Sequence, residues 1–159
     1  MSVPDLPEDF LDLLGCLEGE QCDYVVVGAH ALAAHGLARA TGDLDVFVRP
    51  ERENAGRVYR ALSRFGAPLA AHQVAEEDFA VPGTVYQMGL PPRRIDVLTA
   101  ISGVSFDEAV SEPVVGALGS ARVRCIGLEA MIRNKRAAGR PKDLADAAAL
   151  EALRAGSRR

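Results

Sequence analysis

The sequence predicts an α+β domain, a mixed β-sheet backed by helices, and three observations carry that prediction. Segments with helical apolar spacing alternate with short runs rich in β-branched residues, at Tyr24 to Val27, Asp43 to Val48, Arg94 to Leu98 and Arg122 to Ile126. The runs differ in character: Tyr24 to Val27 reads as buried on both faces, whereas Asp43 to Val48 alternates. No repeat, low-complexity tract or linker interrupts the 159 residues, so residues 1–159 are expected to form one domain. At that length folding buries roughly 70% of the unfolded surface, enough for a core without staples.

The elements follow in order. Phe10, Leu13, Leu14 and Leu17 recur at helical spacing after an acidic opening, which predicts a first helix over PEDFLDLLGCLEG. Gly28 stops the first strand, the chain turns sharply, and HALAAHGLA reads as a short helix ending near Gly36. Pro50 ends the second strand. Residues 51 to about 65 form a helix with Val58, Leu62 and Phe65 on one face and Arg52, Arg57 and Arg60 in solvent. GTVYQMGLPPRRIDVLTAI reads as two strands around Pro91-Pro92, with Asp96 inside the second. A strand at Arg122 to Ile126 precedes a helix over LEAMIRNKRAAG, and a final helix begins near Asp143.

Composition removes several classes. Hydrophobic residues make up 48% and charged residues 25%, an ordinary globular balance. A net charge of −4 argues against coating nucleic acid by charge alone, since that requires clustered cations. No apolar run reaches the roughly 20 residues that cross a bilayer, and MSVPDLPEDF lacks the basic and apolar regions of a signal peptide, so a cytoplasmic protein with no membrane partner is expected. Cys16, Cys22 and Cys125 lack metal-type pairing and read as reduced thiols. His30 and His35, five apart, do not share a helix face as a metal pair would.

Asp43 and Asp45 are two apart on a predicted strand, so the pleat points both carboxylates to one face. Two acids side by side repel, and a folded chain keeps such a pair for a cation or leaves it in water. Leu44, Val46 and Val48 point the other way, into a core that would hold the ligands still. Asp96 repeats the pattern among Ile95, Val97 and Leu98; if its strand is a neighbour, three carboxylates converge. Hard oxygen ligands favour Mg²⁺ or Mn²⁺, ions that sit on substrate phosphates, and phosphoryl or nucleotidyl transfer is the matching chemistry. The Gly28-Ala29 turn ahead of a helix adds a place where an anion can approach backbone N–H groups.

Simpler readings stand beside these. Asp43 suits the turn after Ala40-Thr41-Gly42, Asp96 can pair with Arg93 or Arg94, and Asp143 after Arg-Pro-Lys suits a helix N-cap. Lys135 with Arg133 and Arg136 forms an ordinary basic helix end ahead of Gly139. Arg39 can neutralise the acids or contact a substrate phosphate.

The stretch YVVVGAHALAAHGLARATGDLDVFV resembles the signature of the polymerase-β-type nucleotidyltransferase superfamily, a glycine turn followed by an Asp-x-Asp strand. Asp96 takes the place of that family's third carboxylate, and RNKRAAGRPKDLAD resembles the downstream Lys and Asp motifs of its small bacterial branch, which includes toxin-like and abortive-infection-type members. The resemblance implies a nucleotidyltransferase fold that moves a nucleotide from a nucleoside triphosphate to a hydroxyl on RNA, protein or a small molecule. By it, Asp43, Asp45 and Asp96 would bind Mg²⁺ or Mn²⁺, with Asp96 helping to activate the acceptor. Gly28 and Ala29 would pass under the triphosphate, Lys135 would contact phosphate, and Asp143 or Asp146 would orient Lys135 or shape the site. A toxin–antitoxin setting, a homodimer or a partner protein is compatible with it. One departure stands out: Ala29 replaces the second glycine or serine common in the family, and a missing hydroxyl costs about 1–3 kcal/mol of phosphate binding. A weak or inactive module that binds a nucleotide, RNA or a partner is therefore the competing expectation.

Overall fold

The computed structural model describes residues 7–37 and 42–157. The helices are α1 (Glu8–Gly19), α2 (Gly28–Ala34), α3 (Arg52–Phe65), α4 (Phe106–Ala109), α5 (Leu128–Ala138) and α6 (Pro141–Ser157). The strands are β1 (Tyr24–Val27), β2 (Leu44–Val48), β3 (Val85–Met88), β4 (Ile95–Leu98), β5 (Val114–Leu118) and β6 (Ala121–Cys125), and a 3₁₀ turn spans Glu76–Ala80.

The strands form one mixed six-stranded sheet in the order β3-β4-β2-β1-β6-β5. β1 and β2 pair antiparallel, β2 and β4 parallel, β1 and β6 parallel, and the β3–β4 and β5–β6 pairs are antiparallel. The expected α+β class is what the chain adopts. Register matters most at one row: Val27 faces Asp45, Asp45 faces Asp96, and Asp96 faces Gln87. Val25, Val26, Leu44, Val46 and Val48 are fully or almost fully buried, so the central strands are locked by apolar burial on both sides of that row.

α1 packs on α3, and α5 on α6. α1 buries Phe10, Leu13, Leu14 and Leu17, the four positions that the spacing selects. α3 ends at Gly66, which takes the left-handed conformation of a helix C-cap at φ 98°. Arg57 and Arg60 are engaged in exposed ion pairs with Glu53 and Glu20 rather than merely solvated.

The structure departs from expectation at several points. α2 begins at Gly28 itself, directly after the strand, instead of after a separate turn. The final helix begins at Pro141, a residue suited to the first helical position, so Asp143 is the third residue of α6 and not its N-cap. β5 and α4 were not anticipated. β5 carries Gly116, where a Cβ would come within 2.9 Å of Ala34 and 3.1 Å of the Cys125 sulfur; the close packing of α2 on this strand demands a residue that weakens its strand pattern. α4 is one turn, closed by a reciprocal capping box between Ser105 and Glu108.

Candidate active site

β2 delivers the acids. Its first residues follow Gly42, where a Cβ would come within 2.8 Å of Pro92, so the segment entering the strand lies against the β3–β4 hairpin. Asp45 projects from the middle of the sheet toward the start of α2. A Cβ on Gly28 would stand 2.2 Å from Oδ2 of Asp45, and Gly28 has φ 71°; both the backbone and the carboxylate require glycine there.

The three carboxylates expected from sequence come together. Asp45 and Asp96 are register partners on parallel strands, and Asp43 lies at the head of β2. Burial, then the neighbouring Asp96 and Asp43, push the Asp45 carboxyl up to about 7, with Arg94 opposing the shift; a hydrogen bond to Asp96 adds to it. Arg94 bridges the other two. Its Nε lies 2.8 Å from Oδ1 of Asp96, and one terminal nitrogen lies 3.2 Å from Oδ2 of Asp96 and 3.4 Å from Oδ2 of Asp43. The backbone N–H of Arg94 donates to Oδ1 of Asp43 at 3.0 Å. Asp96 is 7% exposed and does not line the cleft that Asp43 and Asp45 face.

That cleft has a volume of about 800 Å³, within the range of small-molecule sites. Gly28, Ala29, Asp43 and Asp45 line one wall, and Asn134, Lys135, Arg140, Lys142, Asp143 and Asp146 another. Leu98, Ala100 and Ile101 supply apolar floor between them. Lys135 is held by two acids of α6, with Nζ 3.6 Å from Asp143 and 3.4 Å from Asp146. Asp143 is 1% exposed; Arg140 donates to it from Nε at 2.6 Å and from its backbone N–H at 3.3 Å. These contacts hold its carboxyl below the usual carboxylate range. The packing of α5 on α6 thus fixes one lysine by two buried carboxylates and aims it across from the acids of β2.

Among the described residues no group of three or more His, Cys, Asp or Glu side chains stands ready to hold a metal ion. Asp96 and Asp43 are both paired with Arg94. The donor chemistry still fits a hard divalent cation, because the crowded oxygens that raise Asp45 are those a cation would relieve, and Asp43 and Asp45 face the cleft.

Other candidates fall elsewhere. Arg39 lies outside the described residues. His30 is buried, edge-on to Phe10 at 5.8 Å, and its Nε2 has no hydrogen-bond partner among the described residues; burial lowers its pKa, opposed by a backbone hydrogen bond to Gly42. Nε2 of His35 pairs with the Ile126 carbonyl at 2.7 Å. All three cysteines are free. No helix among the described residues is long and apolar enough to cross a membrane.

No family model matches the sequence, and no curated protein matches it. Among solved structures, the chain is similar to the solution structure of the antibiotic-resistance factor ANT(2'')-Ia, an aminoglycoside nucleotidyltransferase. The two are 17% identical, and the match covers 95% of this chain and 90% of that one with a TM-score of 0.56. The fold is that of a nucleotidyltransferase.

Within this nucleotidyltransferase fold, sequence reading overlooked Arg140, Lys142 and Asn134 on the cleft wall, and Gln87, whose amide lies 3.5 Å from Asp96. Arg140 and Lys142 flank Pro141, and a cluster of cations around the first turn of a helix was the available signal.

Proposed function

We propose that this chain transfers a nucleotide from a nucleoside triphosphate to an acceptor hydroxyl, in a reaction dependent on Mg²⁺ or Mn²⁺. The observation that carries this reading is the two-signed cleft, with Asp43 and Asp45 on the sheet wall and Lys135, Arg140 and Lys142 on the helical wall, where Asp143 and Asp146 hold Lys135 and Asp143 also holds Arg140. A metal–triphosphate needs both signs at once: carboxylates for the cation and fixed cations for the phosphate oxygens.

A divalent ion held by Asp43 and Asp45 would supply charge neutralisation for the attacking and leaving oxygens of an in-line displacement. Lys135, pinned between Asp143 and Asp146, pre-positions a point charge for phosphate, and Arg140 and Lys142 add cations on the same wall. The Gly28-Ala29 backbone opens α2 beneath the carboxylates and leaves room for phosphate to approach. Asp96, the register partner of Asp45 on the neighbouring strand, would help to activate the acceptor hydroxyl as a general base. Leu98, Ala100 and Ile101 give a flat apolar surface for the nucleoside. Membership of the small bacterial branch, and with it a toxin-like or abortive-infection role in the cytoplasm, belongs to the same proposal; what supports it is the meeting of Lys135 with Asp143 and Asp146.

The test is incubation of the purified chain with labelled triphosphates, Mg²⁺ and acceptors spanning RNA, protein and hydroxyl-rich small molecules, aminoglycosides included. Equal labelling by wild type and Asp45→Ala would sink the assignment. One observation favours a second reading, a nucleotide-binding module without turnover: both oxygens of Asp96 face Arg94. Tight nucleotide binding that survives Asp45→Asn, with no transfer to any acceptor, would select it.

A further inference from the structure

Arg94 directly precedes β4 and lies two residues from Asp96, so the pleat turns both side chains to one face. Its fork takes both oxygens of Asp96, at 2.8 and 3.2 Å, and the nitrogen on Oδ2 also lies 3.4 Å from Oδ2 of Asp43. The backbone N–H of the same residue occupies the other Asp43 oxygen at 3.0 Å. All four oxygens of these two carboxylates therefore face a donor from one residue. Arg94 is not among the residues lining the cleft, so it grips the acids without filling the space offered to substrate.

We infer that Arg94 is a built-in counter-ion of the carboxylate cluster, which holds Asp96 and competes with a divalent cation for Asp43, and so makes cation binding depend on its withdrawal from Asp43. A guanidinium suits the task. It stays charged at every working pH, its planar fork matches a carboxylate, and its flexible stem allows retreat. The physical need is plain from the geometry: without a cation of some kind, three carboxylates on adjacent strand positions repel one another. Arg94 supplies that charge from within the chain, so the sheet can form before any metal arrives. The cost is that metal must displace a charge-assisted contact rather than enter a vacant set of ligands. Arg94 is on this account a positioning residue that tunes cation affinity. The inference rests on the nucleotidyl-transfer reading, and the experiment separates the two.

The full chain is titrated with Mn²⁺ alone, free Mn²⁺ being followed by electron paramagnetic resonance, for wild type, Arg94→Gln and Arg94→Lys. The titration is then repeated with a non-hydrolysable triphosphate. Without nucleotide, Arg94→Gln is expected to bind Mn²⁺ on the order of ten-fold tighter than wild type, the size of one charge-assisted contact no longer competing. Arg94→Lys, which keeps the charge and loses the fork, is expected between them; if Arg94→Gln does not fold, this variant decides. Wild-type Mn²⁺ affinity unchanged or weakened in both variants would overturn the inference and leave the metal-dependent reading standing. No Mn²⁺ binding by any variant, with or without triphosphate, would overturn both.

Discussion

Replacing the central acid of the site is expected to stabilise the metal-free protein. Asp45 titrates near 7 in the folded chain, against an ordinary value of 3.8, because burial and the neighbouring Asp96 and Asp43 disfavour its charge. A folded pKa raised above the unfolded one means that the folded state holds its proton more tightly. Stability from this group is therefore present below pH 4, declines as pH rises from about 4 to about 7, and is absent at pH 8. A shift of about three units corresponds to a ceiling of roughly 4 kcal/mol; Asp45 borders an open cleft, where solvent screens part of this, and about 2 kcal/mol is the expected size. Asp45→Asn keeps the shape beside Gly28, removes the charge, and offers an amide donor to Asp96. Urea unfolding followed by circular dichroism, in EDTA at pH 5, 6.5 and 8, is the assay. Asp45→Asn should exceed wild type by about 2 kcal/mol at pH 8, with the gap narrowing toward pH 5, while transfer activity is lost. Equal stability at pH 8, or a gap that does not vary with pH, would refute the argument that these carboxylates are electrostatically crowded.

Gly28→Ala meets both a positive φ of 71° and an Asp45 oxygen 2.2 Å from the new Cβ, so a loss of about 2 kcal/mol or more in urea unfolding is expected; a wild-type transition midpoint would show that the turn is not constrained as described. Lys135→Ala leaves Asp146 without its lysine and removes the charge proposed to meet phosphate. Calorimetry should then show triphosphate affinity reduced on the order of ten-fold, whereas Arg136→Ala, whose partner is Glu151, should leave it unchanged. Gly116→Val drives a side chain into Ala34 and Cys125 and should lower stability by about 1–3 kcal/mol without altering nucleotide affinity per folded molecule. A stable Gly116→Val variant would mean that α2 does not pack on β5 as closely as the structure has it.

What could be read from the sequence divides along physical lines. The acids of β2 were visible because a two-residue period is local: Asp43 and Asp45 share a face whatever else the chain does. That Asp96 would be the cross-strand neighbour of Asp45 could be expected only conditionally, because the register of parallel strands is set by a distant connection. The choice of Arg94 over Arg93 as the partner of Asp96 is legible in the two-residue period, since only Arg94 shares its face of the strand. β5 was hidden by Gly116, whose purpose is a tertiary contact with α2 that no local pattern contains. The lysine of α5 could be singled out only by resemblance, since its distinction from Arg133 and Arg136 comes from the two acids that α6 places beside it.

The row Val27, Asp45, Asp96, Gln87 runs straight across four adjacent strands. Its members come from four separate stretches of chain, yet their spacing is set by the backbone ladder and not by any loop. A one-residue slip of β2 would turn Asp45 to the opposite side and bring Leu44 or Val46 in its place, so partial assembly yields no partial site. Chemistry and folding are thus scored by the same ruler. A change in the length of a loop between these strands would leave the row aligned for as long as the ladder holds.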